Sequence, residues 1–221
     1  MIDLSSFPPE IEQAGKTILQ CYQTLQQNES NVVQEILKSH QQFFQWDHYP
    51  PGDVRDRQTH SQYYYHSHPS KDEDRLPEHG HFHLFLREPA ILPVFKPLYS
   101  SAKYQKDPKS DNLCHLFAIA MNDEGYPAAL FTVNHWVTGG LWYSADAVIE
   151  MLNHFQIQHD QPSSLTNQWL NAMVVFFKPY LKELLIRRDE IIAEWTSDHP
   201  ETNVFADKKL EVLSILQLSE T

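Results

Sequence analysis

The chain has 221 residues, 41% of them hydrophobic, which is a globular composition with enough apolar material for a large core. Its net charge of −12 argues against a nucleic-acid partner, because a phosphate backbone meets a repulsive field and the arginines are scattered among carboxylates. No apolar run approaches the roughly 18 residues of a membrane helix, no basic and apolar leader opens the chain, and two cysteines without a C-x-x-C spacing fit a reduced protein; a cytoplasmic location away from membranes is expected.

The first predicted element is a helical hairpin over residues 9–45. Ile11, Ala14, Ile18, Cys21 and Leu25 recur at helical steps, as do Val32 or Val33, Ile36, Leu37, Phe43 and Phe44. Asn28-Glu29-Ser30 marks the break, with Ser30 or Asn31 as the second N-cap. Tyr49-Pro50-Pro51-Gly52-Asp53 predicts a turn. Strands are predicted over 62–68 and 80–88, separated by a polar loop over 69–78 and followed by a proline-punctuated excursion to Tyr99 and a second polar loop over 100–112. Residues 115–122 and 128–136 predict a hairpin about Asp123-Glu124-Gly125. Thr138-Gly139-Gly140 predicts another turn, and Ser144 an N-cap for a helix to about Phe155. A long helical pattern runs from Ser163 or Ser164 to about Trp195, with a kink or break expected near Lys178 because Pro179 lies inside it. Residues 207–221 fit a strand or a helix. Helices, then hairpin-connected strands, then helices define an α+β fold: one domain over 1–221, with a mainly antiparallel sheet and the N-terminal hairpin and C-terminal helices packed on it.

Seven of the thirteen histidines lie between His48 and His83. Successive side chains of a strand point to opposite faces. His60, Gln62, Tyr64, His66 and His68 therefore share one face of the first strand, and Tyr63, Tyr65 and Ser67 the other. In the second, His79, His81, His83, Phe85 and Arg87 oppose Phe82, Leu84 and Leu86. The apolar side wants the helices, which leaves the histidines facing a cleft or solvent. Neutral imidazole is the commonest protein metal ligand, and zinc on nitrogen needs three or four of them. His66, His68, His81 and His83 are the candidate ligands of a divalent metal, zinc, iron or manganese. Asp53, Asp56 and Glu78 are candidate carboxylate ligands, or partners that orient an imidazole.

Other residues placed to meet a small-molecule ligand are His48, Asp56, Arg57, Tyr64, His79, Arg87 and His135. His135 reads more simply as a hydrogen-bonded core histidine, and the arginines as partners of nearby carboxylates. Residues 134–143 either line an aromatic pocket or make the turn into the following helix. Three function classes stay open: a metal-binding protein acting as an enzyme on a small molecule, a metal-free pocket, and a non-catalytic binding protein with structural or surface histidines. The pattern names no reaction and no oligomeric state.

The run His79-Gly80-His81-Phe82-His83-Leu84-Phe85 resembles the motif of the histidine triad nucleotide hydrolases and transferases. That resemblance implies His81 as a nucleophile on an α-phosphate. It covers seven residues, Gly80 replaces a hydrophobic position, and 136 residues follow. Across most of its length the chain resembles a family of uncharacterised bacterial proteins. The segments that carry this are Asp47-His48-Tyr49-Pro50-Pro51-Gly52-Asp53, the run from Tyr63 to His68, Gly80 to Leu86 and Val133 to Trp142. This second resemblance implies no activity or catalytic residue.

Overall fold

The computed structural model describes residues 7–39, 42–68, 78–109 and 111–218. In chain order the elements are α1 (Pro9–Gln27), α2 (Val32–Leu37), β1 (Tyr49–Arg55), β2 (Ser61–His66), β3 (Gly80–Arg87), β4 (Tyr99–Ser100), α3 (Ala102–Lys106), β5 (Leu113–Met121), β6 (Pro127–Val133), α4 (His135–Thr138), β7 (Leu141–Trp142), α5 (Ala145–Met151), α6 (Ser164–Asp198) and β8 (Val212–Gln217). Six strands form one sheet in the order β1-β2-β3-β5-β6-β8, and β4 pairs with β7. Every pairing is antiparallel. The fold is α+β, with the helices on one face of the sheet.

That face follows from strand parity. Phe82, Leu84 and Leu86 of β3 and Tyr63 and Tyr65 of β2 are fully buried in one cluster with α1, α2, α5 and α6. Each such aliphatic or aromatic burial contributes about 1.5–3 kcal/mol. Tyr63 Oη donates to Asn167 Oδ1 of α6 at 2.6 Å, so this buried hydroxyl is also satisfied. The opposite face holds two smaller apolar groups, Tyr64 with Phe85 and Leu113, and Ala118, Ala120, Ala129, Phe131 and Val133. Between those groups stand the histidines.

Several expectations change. The second helix ends at Leu37, with Asn31 as its N-cap through Val33 N and Gln34 N; Phe43 and Phe44 lie beyond it. The Pro-Pro-Gly turn over 49–53 is instead part of the edge strand β1. Its pairing with β2 slips between Tyr49 and Val54, where Gly52 (φ 83°) and Asp53 (φ 61°) take left-handed backbone. Prolines are tolerated there because an edge strand leaves one row of backbone groups unpaired and a bulge absorbs the lost donors. The 128–136 strand ends at Val133, since Asn134 caps α4 by accepting from His135 N at 2.7 Å. The helix after Ser144 stops at Met151.

No break occurs at Pro179, and α6 runs through it for 35 residues. Pro179 and Val175 share the exposed side of the helix, so the Val175 carbonyl that loses its usual donor faces water. The ambiguous tail forms a strand, β8, pinned by Ser214 Oγ to Thr132 Oγ1 at 2.6 Å and to Leu184 O at 2.8 Å. The polar loop expected over 69–78 lies outside the described residues except for Glu78. Both cysteines are buried free thiols, and among the described residues no helix is long and apolar enough to cross a membrane.

Candidate metal centre

The register of β2 on β3 sets the site. His66 pairs directly with His81, and Tyr64 with His83. Residues opposite each other in an antiparallel ladder carry their side chains on the same face. The two imidazoles therefore meet: His66 Nε2 lies 2.7 Å from His81 Nε2. Gly80 permits this closeness. A Cβ there would stand 2.5 Å from the His66 carbonyl oxygen and 2.6 Å from Tyr65 Oη. Only glycine fits the start of β3.

His68 follows the end of β2, yet its ring returns to the group, with centroids 4.8 Å from His66 and 5.1 Å from His81. His66, His68 and His81 each offer a nitrogen, and these atoms all lie within 4.8 Å of one another. Two nitrogens bound at 2.0–2.1 Å to one tetrahedral zinc stand about 3.3 Å apart. The His66–His81 pair would need to open by a few tenths of an ångström, well within a side-chain rotation. His81 Nδ1 is held by Glu78 Oε1 at 2.7 Å. A carboxylate on the second nitrogen fixes which nitrogen an imidazole presents and raises its basicity, as in carboxylate–histidine–zinc arrangements.

Burial pushes the His66 imidazole down to about 2, with further lowering from His81, His68 and His48. Burial likewise holds His83 well below the ordinary histidine range, aided by His81, His115, His66 and His48. His115 is lowered to about 3 by burial and then by Arg188 and His81. All three rings are neutral at pH 7, the form a metal takes.

His83, the fourth expected ligand, adjoins the group, with ring centroids 5.3 Å from His66 and 4.7 Å from His81. Its Nδ1 is engaged 2.9 Å from His115 Nε2. Strand parity could not foresee His115. Counting back from Ala118 and Ala120, regular alternation puts residue 115 on the helix side. A register shift between Leu84 and Phe85 inserts one residue into β5 and flips that parity, so His115 stands opposite Phe85 on the histidine face.

The remaining candidates separate into those near the cluster and those elsewhere. His48 stacks on Tyr64 at 3.6 Å, meets His66 edge-on at 5.6 Å, and is bonded through Nδ1 to Asp53 Oδ1 at 2.9 Å. Tyr64 is buried and touches both His66 and His83. His79 precedes β3 and turns away from the histidine row, with Nδ1 2.6 Å from Tyr65 Oη and its ring stacked on Phe43. His60 likewise precedes β2, with φ 61°. Arg87 closes the far end of β3, donating to Gln62 Oε1 and Asn112 Oδ1, both at 2.6 Å.

Asp56 caps the β1–β2 turn. Burial raises its carboxyl, but donation from the backbone of Gln158, Thr59 and Gln58 outweighs this and holds it below the usual range. Arg57 is exposed in the same turn. His135 sits in α4 rather than on a strand face shared with Phe131. It is buried against Tyr99 and Phe205, with Nε2 3.3 Å from Gly140 O. That is the hydrogen-bonded core histidine. A shallow recess lined by Tyr22, Gln34, Glu124 and Tyr126 takes no residue from β2 or β3, so it is separate from the histidines.

An antiparallel sheet backed by helices, with three convergent histidines on its other face, defines an α+β protein with a site that could hold a metal ion. The chain belongs to the family described as a domain of unknown function (DUF6969), whose profile matches residues 12–218. None of the curated proteins and none of the solved structures matches it.

Proposed function

We propose that the protein binds a divalent metal ion through His66, His68 and His81 and acts as a metal-dependent enzyme on a small molecule. The observation that carries this reading is the convergence of the three imidazole nitrogens within 4.8 Å. Histidines serving only as surface polar groups of a binding module would point apart. Three neutral nitrogen ligands suit zinc best. Iron or manganese would call for a carboxylate in the set, and the three convergent groups are all histidines. Three protein ligands leave a tetrahedral ion one position for water or substrate, which is the arrangement of catalytic rather than structural zinc. The ion would lower the pKa of bound water and supply a nucleophile near neutral pH.

The test is metal content and zinc affinity of protein prepared without a histidine tag. One zinc per chain is expected, with affinity lowered at least about 100-fold in His66→Ala and in His81→Ala, since even outer partners of a ligand cost 10–100-fold. Absence of stoichiometric uptake, or unchanged affinity in both variants, rejects the reading.

A further inference from the structure

We infer that His83, oriented by His115, hydrogen-bonds the exogenous ligand in the ion's open position, and that this ligand is protic: water or the hydroxyl of a substrate. The inference rests on the metal reading above and deepens it.

Three observations support it. First, His83 is 1% exposed, and its Nε2 is buried without a hydrogen-bond partner among the described residues. A buried polar nitrogen in this state is costly, and such groups are usually completed by a bound molecule. Second, the position is right for a neighbour of the ion's ligand rather than for a ligand of the ion. The ring adjoins His66 and His81, but His83 is not in the set whose nitrogens converge. Its Nδ1 is taken by His115, which stands beside Phe85 further along β3. That bond engages Nδ1 and leaves Nε2 as the nitrogen available to a bound molecule. Third, the neighbouring strand β5 offers no partner there. Across the strand from His83 and His81 are Ala118 and Ala120, whose methyl groups cannot bond to an imidazole.

The protic character follows from the dyad. One proton lies between His83 Nδ1 and His115 Nε2. If His83 supplies it, Nε2 is an acceptor; if His115 does, Nε2 is a donor. Water or a hydroxyl can take either role, whereas a carboxylate only accepts and an ammonium only donates.

The experiment uses the full chain loaded with cobalt(II), whose visible absorption reports ligands in the open position, and acetohydroxamic acid as a protic probe. His83→Phe is expected to bind cobalt within about threefold of wild type and the hydroxamate about tenfold more weakly, the loss of one hydrogen bond. His115→Phe keeps the His83 ring but removes what orients it. It should show a smaller loss of the same sign, and it carries the test if His83→Phe does not fold. Unchanged hydroxamate affinity in the folded variants overturns the inference. So does a collapse of cobalt affinity in His83→Phe as deep as that of His81→Ala, which would make His83 a ligand. In both cases the metal reading survives. No cobalt uptake by the wild type removes that reading and the inference together.

Discussion

His66 Nε2 and His81 Nε2 face each other at 2.7 Å across a directly paired rung of β2 and β3. Two buried imidazoles that close cannot both carry a proton on the facing nitrogen, so one is a lone pair. A metal ion would take the place of the shared proton. The carboxylate behind His81 then decides how well that nitrogen binds. Glu78→Gln keeps the shape but removes the negative charge beside His81 Nδ1. Zinc affinity should fall about 10–100-fold with little change in the urea midpoint of the metal-free protein. Calorimetry against a competing chelator checks the first, and an affinity equal to wild type would show that Glu78 does not orient the ligand.

The buried rings also make the metal-free protein sensitive to acid. Burial pushes His66 down to about 2 and holds His83 well below its ordinary value in the folded protein, while both return to near 6.5 once unfolded. Above about pH 6.5 neither state is protonated, and their contribution is fully present. Below it the unfolded chain takes up protons that the native state cannot, so stability falls as pH falls. Between pH 7 and 5 the His66 contribution should fall by about 2 kcal/mol, and that of His83 should change in the same direction. Urea unfolding at pH 7, 6 and 5 measures this, and a flat profile would mean that these rings are protonated in the folded protein.

Gly80 is where β3 passes closest to β2. A methyl group there would sit 2.5 Å from the His66 carbonyl oxygen, and backbone cannot step aside as a side-chain end can. Gly80→Ala should destabilise the protein by about 1–3 kcal/mol and lower zinc uptake as well, because it displaces the residue that presents His66. A variant as stable as wild type would show that the strands can separate at no cost.

Tyr63 joins the sheet to α6 through the bond to Asn167. Asn167 Nδ2 in turn donates to His159 O and Gln161 O, so one amide holds both the tyrosine and the linker before α6. Tyr63→Phe leaves the buried Asn167 oxygen without its donor and should cost about 1–3 kcal/mol. Because the change lies on the helix side of the sheet, zinc affinity should stay at the wild-type value. Thermal unfolding and calorimetry on the same variant separate the two.

Pro179 lies in the exposed middle of an unbroken helix. Proline in a helix interior costs about 3 kcal/mol relative to alanine, partly offset by about 0.4–1 kcal/mol through its stiffening of the unfolded chain. Pro179→Ala should therefore stabilise the protein by roughly 2–2.6 kcal/mol. Destabilisation would indicate that the local shape around Pro179 is needed for packing.

Much of this fold is legible in the chain itself. The alternation of Phe82, Leu84 and Leu86 with His81 and His83 separates a helix-facing side from a histidine side before any partner is known, because the two-residue period of a strand is a property of its own backbone. The hairpin at Asp123-Glu124-Gly125 and the cap at Asn31 are equally local. Tertiary structure decided the rest. That His66 meets His81 rather than His83 is a matter of register, set by how whole strands seat their apolar faces on the helices. The β5 bulge brings His115 to His83 by breaking the very parity a sequence reading relies on. His79 matches the alternating pattern yet turns to Tyr65, because β3 begins one residue later at Gly80. Local periodicity could say which side of a strand each histidine occupies; only long-range pairing could bring those of different strands within reach of one ion.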